Sequence, residues 1–340
     1  MSKAVLQADG KLMHMLASIE DGDASTLRMI ERPVPEPGAG QVRVAIAACG
    51  INFPDVLMIE GKYQFTFERP FAPGIEVAGI IDAVGEGVTT LAPGMRVVVQ
   101  LDNGGLAQFA VVDAGEVMRL PDSVSFETAA ASLLTYGTSF HALRDRAALA
   151  AGETLLVLGA AGGVGLAAIE LGKIMGARVV AGASTQSKAD LARAAGADEA
   201  FVYPAKVDDP RALSALFKQH CPDGTDVVYD PVGGDYAEPA LRTMNPKGRY
   251  LVVGFAAGIP RVPLNLALLK QCAIVGVFWG AAQKSFPAEC DALLDELWAL
   301  VGEGTLTPPA PTIYPFDKGG DAIAALKERR AEGKLVVRIG

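Results

Sequence analysis

The chain has 340 residues, of which 50% are hydrophobic and 20% charged. That length exceeds the usual scale of about 100 to 200 residues per domain and provides for two packed cores. The formal net charge of -9 argues against an extended nucleic-acid or anionic-membrane surface, because such surfaces draw their binding free energy from cationic contacts.

The first residues, MSKAVLQADGK, hold no apolar run followed by a small-residue cleavage site. No secretory signal is expected, and the protein reads as intracellular and cytoplasmic. From residue 1 to about residue 124, short β-branched runs recur: QVRVAI at 41–46, VAGIIDAV at 77–84, MRVVV at 95–99 and AQFAVV at 107–112. Pro-Gly pairs at 37–38, 73–74 and 93–94 supply turns between them. This spacing predicts an irregular, mostly antiparallel β domain.

After Phe126 the rhythm changes, and Ala-rich helical stretches alternate with short apolar strands expected at 155–159, 178–183, 200–203, 226–230, 250–254 and 273–277. Gly196 closes one helical pattern, and Asp209 with Pro210 opens another as cap and first-turn proline. Six strands separated by helices describe a doubly wound parallel sheet of the Rossmann kind, so the fold class is α/β. The tail combines a helix over 291–301, a Pro-rich loop and a last strand, LVVRI, at 335–339. It is expected to return to the first domain, which divides the chain into 1–130, 131–277 and 278–340. The most apolar uncharged run, between Glu153 and Glu170, is glycine-rich and shorter than the roughly 18 to 20 residues that span a bilayer. Cys49, Cys221, Cys272 and Cys290 are scattered without a C-x-x-C pair, which points to buried thiols rather than disulfides or a metal cluster.

Between the first strand and the first helix of the parallel sheet stands AAGGVG, residues 160–165. Glycines in such a turn let the backbone approach a pyrophosphate, and the helix N-terminus presents N–H groups and partial positive charge. Gly162, with Gly163 and Val164, is placed for the phosphate, and Gly165 for close packing of helix on strand. Ala160 replaces the usual first glycine, a change tolerated if that position does not demand a positive φ. At the end of the next strand an NAD site would place a carboxylate on the adenosine ribose. Here the chain reads Ala183-Ser184-Thr185-Gln186-Ser187-Lys188, with hydroxyls and a lysine suited to a ribose 2'-phosphate. NADPH is therefore expected over NADH, although Ser184, Thr185 and Ser187 also suit a helix cap.

The two-domain order, AAGGVG, CGINFPD at 49–55 and PGIEVAG at 73–79 together resemble the medium-chain dehydrogenase/reductase superfamily. Within it the chain is similar to the zinc-free quinone oxidoreductase branch. The resemblance implies a GroES-like, mostly antiparallel catalytic domain beside the Rossmann domain, and hydride transfer from NADPH. It sets Asn52 where zinc-dependent relatives carry a cysteine ligand, and Ile75 where they carry a histidine. Neither an amide nor an alkyl group replaces those ligands, so no catalytic metal is expected. By the same resemblance Asn52 lies beside the nicotinamide, Tyr63 borders the substrate pocket, and Thr138 lies near the nicotinamide ring. Lys188 and Tyr203 match residues binding the 2'-phosphate. Backbone contacts are implied around Val232, Gly254, Phe255 and Phe278, and Arg329 or Arg330 completes the phosphate site.

Each residue also has a plainer role: Asn52 as a helix cap, Tyr63 as a rim residue with a wet hydroxyl. As a catalytic group Tyr63 would donate a hydrogen bond or proton to a carbonyl oxygen. Relatives often carry a second tyrosine where this chain reads Val56-Leu57-Met58, which makes the expected pocket more apolar. The expected substrate is a quinone or an α,β-unsaturated carbonyl (enone). The alternatives are an enoyl or acryloyl thioester, and an NADPH-binding protein without significant turnover. A homodimer is implied, with the strand at 273–277 apolar enough for interior or interface.

Overall fold

The structure, a computed structural model, describes residues 12–340. The stretch read above for a secretory signal, residues 1–11, lies outside the described residues. The described residues form two compact units, one made of those up to Leu134 together with Pro308–Gly340, the other of Thr135–Thr307.

In the first unit, β1 (Leu12–Ala17) and β2 (Arg28–Pro33) form an antiparallel ribbon. Next come β3 (Gln41–Ile51), helix α1 (Phe53–Ile59), β4 (Glu76–Val84), β5 (Arg96–Gln100), β6 (Phe109–Asp113) and β7 (Val117–Arg119). Strand β3 is buried almost throughout and organises the sheet, pairing antiparallel with both β4 and β6. Irregularities in its register against β4, at Arg43/Val44 and Ile46/Ala48, bend it so that one strand serves several partners. Helix α2 (Phe126–Phe140) follows, and the boundary between the units falls within it.

The second unit runs β8 (Thr154–Val157), α3 (Gly163–Ile174), β9 (Arg178–Ala183), α4 (Gln186–Ala194), β10 (Glu199–Val202), α5 (Pro210–His220) and β11 (Thr225–Asp230). It continues through α6 (Ala237–Leu241), β12 (Met244–Val252), α7 (Asn265–Lys270), β13 (Ala273–Gly276), α8 (Trp279–Ser285) and α9 (Pro287–Gly302). The six strands are all parallel, in the order β10-β9-β8-β11-β12-β13. Central residues Leu155, Leu156, Val179, Val180, Val227 and Val228 are fully buried. Strands that read as unbroken apolar runs are those covered by helices on both faces.

The chain then supplies β14 (Thr312–Pro315), α10 (Gly319–Lys327) and β15 (Leu335–Arg338) to the first unit. Strand β15 runs antiparallel to β3, and β14 parallel to β15. The sheet order is β14-β15-β3-β4-β5-β7, with β6 also on β3. The return therefore falls at Pro308 and not at residue 278, and the first boundary at 134/135 rather than 130/131. Packing explains the first difference. The Trp279 ring contacts Gly137 and stands 5.7 Å from the His141 ring, and Arg144 holds Glu296 of α9 at 2.8 Å, which keeps α8 and α9 in the second unit. Among the described residues no helix is long and apolar enough to cross a membrane.

Candidate functional site

In the second unit the C-terminal ends of the parallel strands share one edge, the place where open α/β sheets bind ligands. After β8, the positive φ belongs to Gly159 (+60°) and not to Ala160, which is fully buried and donates its N–H to Gly182 O at 3.1 Å. This is why alanine is tolerated there. Gly162 caps α3 in extended conformation and is exposed, while Gly163 and Val164 begin the helix, whose first N–H groups lack intrahelical acceptors. A Cβ on Gly165 would fall against the Gly159 carbonyl oxygen and 2.9 Å from Ala160 Cα. Only glycine lets α3 approach β8 this closely.

After β9, Thr185 is the N-cap of α4 and its Oγ1 accepts from Lys188 N at 3.3 Å. Thr185 Oγ1 and Ser187 Oγ lie 3.1 Å apart. The carboxylate of an NAD site has no counterpart in this turn, whose residues from Ser184 to Lys188 carry hydroxyl, amide and ammonium groups. After β11, Asp230 Oδ1 accepts from the N–H groups of Val232 (2.8 Å) and Gly233 (2.9 Å), and Tyr250 donates its hydroxyl to Oδ2. Burial raises the Asp230 carboxyl pKa against these three bonds. Val232 N–H is thus committed inside the turn, and its carbonyl accepts from Ala257 N at 2.7 Å. Gly254 and the exposed rings of Phe255 and Phe278 follow β12 and β13 on the same edge.

Tyr203 and Arg330, expected at the 2'-phosphate, each have partners within the protein. Tyr203 is buried, its ring packs on Tyr236 and Phe217, and its hydroxyl accepts from Gly159 N at 3.1 Å, so it supports the glycine turn from within the core. Arg330 belongs to the other unit and pairs with Glu328 at 2.6 Å, beside Arg329 in left-handed conformation. Thr138 is half-buried in α2. Its neighbour Ser139, which the sequence did not single out, donates to Val164 O at 2.9 Å and shares a hydrogen bond with the Tyr229 hydroxyl at 2.8 Å. That contact holds the first turn of α3 in place.

In the first unit the candidate residues meet at the end of β3. The β15–β3 register pairs Leu335 with Ile51, so the next pair along is Lys334 and Asn52. The β3–β4 register sets Glu76 opposite Gly50. Asn52 caps α1 by position, and Asp55 Oδ2 accepts from Asn52 N at 2.7 Å while Oδ1 accepts from Gly74 N at 2.8 Å. The Asn52 amide nitrogen donates to Gly50 O (3.2 Å) and Glu76 Oε2 (3.0 Å), and its oxygen accepts from Lys334 Nζ at 2.5 Å. Lys334 also holds Glu76 Oε2 at 2.7 Å, and Glu76 Oε1 accepts from Leu134 N at 2.8 Å. Glu76 is fully buried and the Lys334 side chain only 9% exposed. Gly50 admits this arrangement, because a Cβ there would lie 2.7 Å from Glu76 Oε2 and 3.0 Å from the Ala130 carbonyl carbon.

Burial pushes the Asp55 carboxyl up to about 6, against its two backbone hydrogen bonds and the Lys334 charge, with Glu76 adding to the rise. Tyr63 is half-buried, edge-on to Phe65 at 5.8 Å, and packs with Phe67 and Leu134 on Met58, Phe71 and Ile75. Burial, then the charges of Asp55 and Asp102, raise its phenol above the ordinary value, so it is a protonated donor at neutral pH. Sequence reasoning did not single out Glu76, Lys334 and Asp230. Their signal was available: a carboxylate inside the apolar run GIEVAG, a lysine heading an apolar strand, and an aspartate before Pro-Val-Gly-Gly.

The sequence profile described as alcohol dehydrogenase GroES-like domain matches residues 38–122, and that described as zinc-binding dehydrogenase matches residues 163–297. The chain is 36% identical over 315 residues to quinone oxidoreductase-like protein 2 of Bos taurus, covering 92% of this chain and 89% of that one. The solved structure of mycobacterial Rv1454c complexed with NADPH is similar at 30% identity and a TM-score of 0.88, covering 96% of this chain and 100% of that one. The CurK enoyl reductase structure is similar at 26% identity and a TM-score of 0.85, covering 97% and 100%.

Proposed function

The chain belongs to the medium-chain dehydrogenase/reductase superfamily, in its quinone oxidoreductase-like branch, and from that premise we propose that it is an NADPH-dependent reductase passing hydride to a quinone or an α,β-unsaturated carbonyl. The observation that carries this reading is the cluster at Asn52. Zinc takes thiolate, imidazole and carboxylate ligands. Here the positions offer an amide already engaged on three sides, an alkyl side chain packed on Met58 and Phe71, and a carboxylate held by an ammonium. These residues do not fit zinc, despite the description attached to residues 163–297. Acceptors that take hydride readily, with the carbonyl oxygen stabilised by protein donors, suit such a site.

Gly162, Gly163 and Val164 would hold the pyrophosphate at the start of α3, and Ser184, Thr185 and Lys188 the 2'-phosphate of NADPH. The cofactor supplies a hydride when bound. Tyr63 orients the acceptor, and the apolar wall of Met58, Phe71 and Ile75 excludes water. A second reading, reduction of an enoyl thioester, is favoured by the likeness to the CurK enoyl reductase. The reading includes a cytoplasmic setting, supported by four unpaired cysteines. It also includes a homodimer, supported by the outer edge of β13, unpaired among the described residues, by the exposed Ile274 within it, and by the exposed Leu264, Leu268 and Leu269 that precede it.

Oxidation of NADPH and of NADH by the purified protein, measured across quinones, enones and enoyl thioesters, tests the reading. The expected result is turnover of at least one class with kcat/KM favouring NADPH. Tight NADPH binding without turnover of any class would sink it in favour of a binding role.

A further inference from the structure

An amide nitrogen carries two hydrogens and an ammonium three. Both hydrogens of Asn52 Nδ2 are spent, on Gly50 O and Glu76 Oε2. The orientation of the amide is fixed by its partners, because turning it over would set its NH2 group against the Lys334 ammonium. Asn52 therefore has no hydrogen left for a ligand. Lys334 spends two of its three, on Asn52 Oδ1 and Glu76 Oε2, and no acceptor for the third is found among the described residues. A nearly buried cation must satisfy that hydrogen from solvent or ligand.

Resting on the reductase reading above, we propose that Lys334 is the catalytic cation of this site: it fixes Asn52, and its third N–H donates to the substrate carbonyl oxygen as that oxygen gains charge. Hydride adds to the β-carbon, the alkene π pair becomes the Cα=C bond, and the carbonyl π pair settles on oxygen as an enolate. NADPH, when bound, would supply the hydride with its two electrons, water later protonates Cα, and the ammonium keeps its proton throughout. For a quinone the same donor faces the oxygen that becomes phenolate. The substrate class follows: an acceptor whose carbonyl oxygen, conjugated with the carbon receiving hydride, is small enough to reach a 9%-exposed ammonium.

Lys334→Met alone leaves the Glu76 carboxylate buried and unpaired, so a lower Tm is expected of it whatever its role. Lys334→Met with Glu76→Gln removes both charges, and Lys334→Arg keeps the charge and the donors. In the neutral double variant, kcat on an enone is expected to fall by about 10² to 10³-fold, the loss typical of one oxyanion donor, with Tm and NADPH Kd close to wild type. Lys334→Arg is expected to stay within about tenfold of wild type in kcat. A double variant with wild-type kcat overturns the proposal, as does a kcat loss matched by loss of NADPH affinity or of Tm, which assigns the network to structure. Wild-type turnover alongside an active double variant removes this inference alone. A wild-type protein inert toward every acceptor removes the reductase reading with it.

Discussion

Tyr63 and Asp55 show how one environment acts oppositely on two acids. Both are raised by burial, but the phenol starts near 10 and stays protonated, whereas the carboxyl is brought to about 6, inside the working range. Tyr63→Phe removes a donor while keeping the ring on its apolar wall, and kcat on an enone is expected to fall by about 10²-fold, as for loss of one hydrogen bond that orients the acceptor. An unchanged kcat in steady-state assays would return Tyr63 to the rim role. For Asp55 the sign follows from linkage. The folded pKa lies above the unfolded value, so its contribution to stability is fully present below about pH 4 and lost as pH rises through about 6. Asp55→Asn removes this titration and turns an amide NH2 toward a backbone N–H, at a cost of about 1 to 3 kcal/mol. The stability gap between wild type and variant, read by urea unfolding, is expected to widen by about 1 kcal/mol from pH 7 to pH 5. A gap independent of pH would contradict the raised carboxyl.

The β8–α3 turn carries its constraint in two glycines with different duties. Gly159 provides the positive φ, and Gly165 the space for the helix against the strand. Gly165→Ala forces a methyl group onto the Gly159 carbonyl, so α3 must move away from β8. A stability loss of about 1 to 3 kcal/mol is expected, together with weaker NADPH binding. Thermal unfolding with and without NADPH measures both, and an unaltered cofactor-induced shift in Tm would show that the helix position does not matter to binding. Much of this element was legible in advance. The strand at 178–183 coincides with β9, and Asp209 with Pro210 opens α5 as cap and first turn, because the period of apolar residues and local capping chemistry are properties of neighbours in sequence. The ribbon β1–β2, the three-residue β7 and helix α10 were not marked by the turn and capping signals that marked the other elements.

At the scale of the whole molecule, the edge of β13, unpaired among the described residues, and the exposed leucines in and just before α7 bear on assembly. Leu264, Leu268 and Leu269 are 75%, 75% and 67% exposed, more than isolated surface residues ordinarily need. For the proposed dimer, Leu268→Asp with Ile274→Lys sets charge on both the patch and the edge strand, and a shift to monomer is expected in sedimentation experiments; a dimer that survives both changes assembles elsewhere. The division into units follows the same logic of distant partners. Apolar periodicity, glycine placement and the missing acid after β9 by themselves determined an α/β chain with a doubly wound sheet and a nucleotide turn, because each acts within a few residues. Tertiary structure alone decided that α8 and α9 stay with the second unit and that Tyr203 supports the glycine turn from the core. It alone also joined Asn52, Glu76 and Lys334 into one cluster. Those three meet only because β15 pairs with β3 across the length of the chain, and strand register between distant segments is set by the packing of the whole sheet.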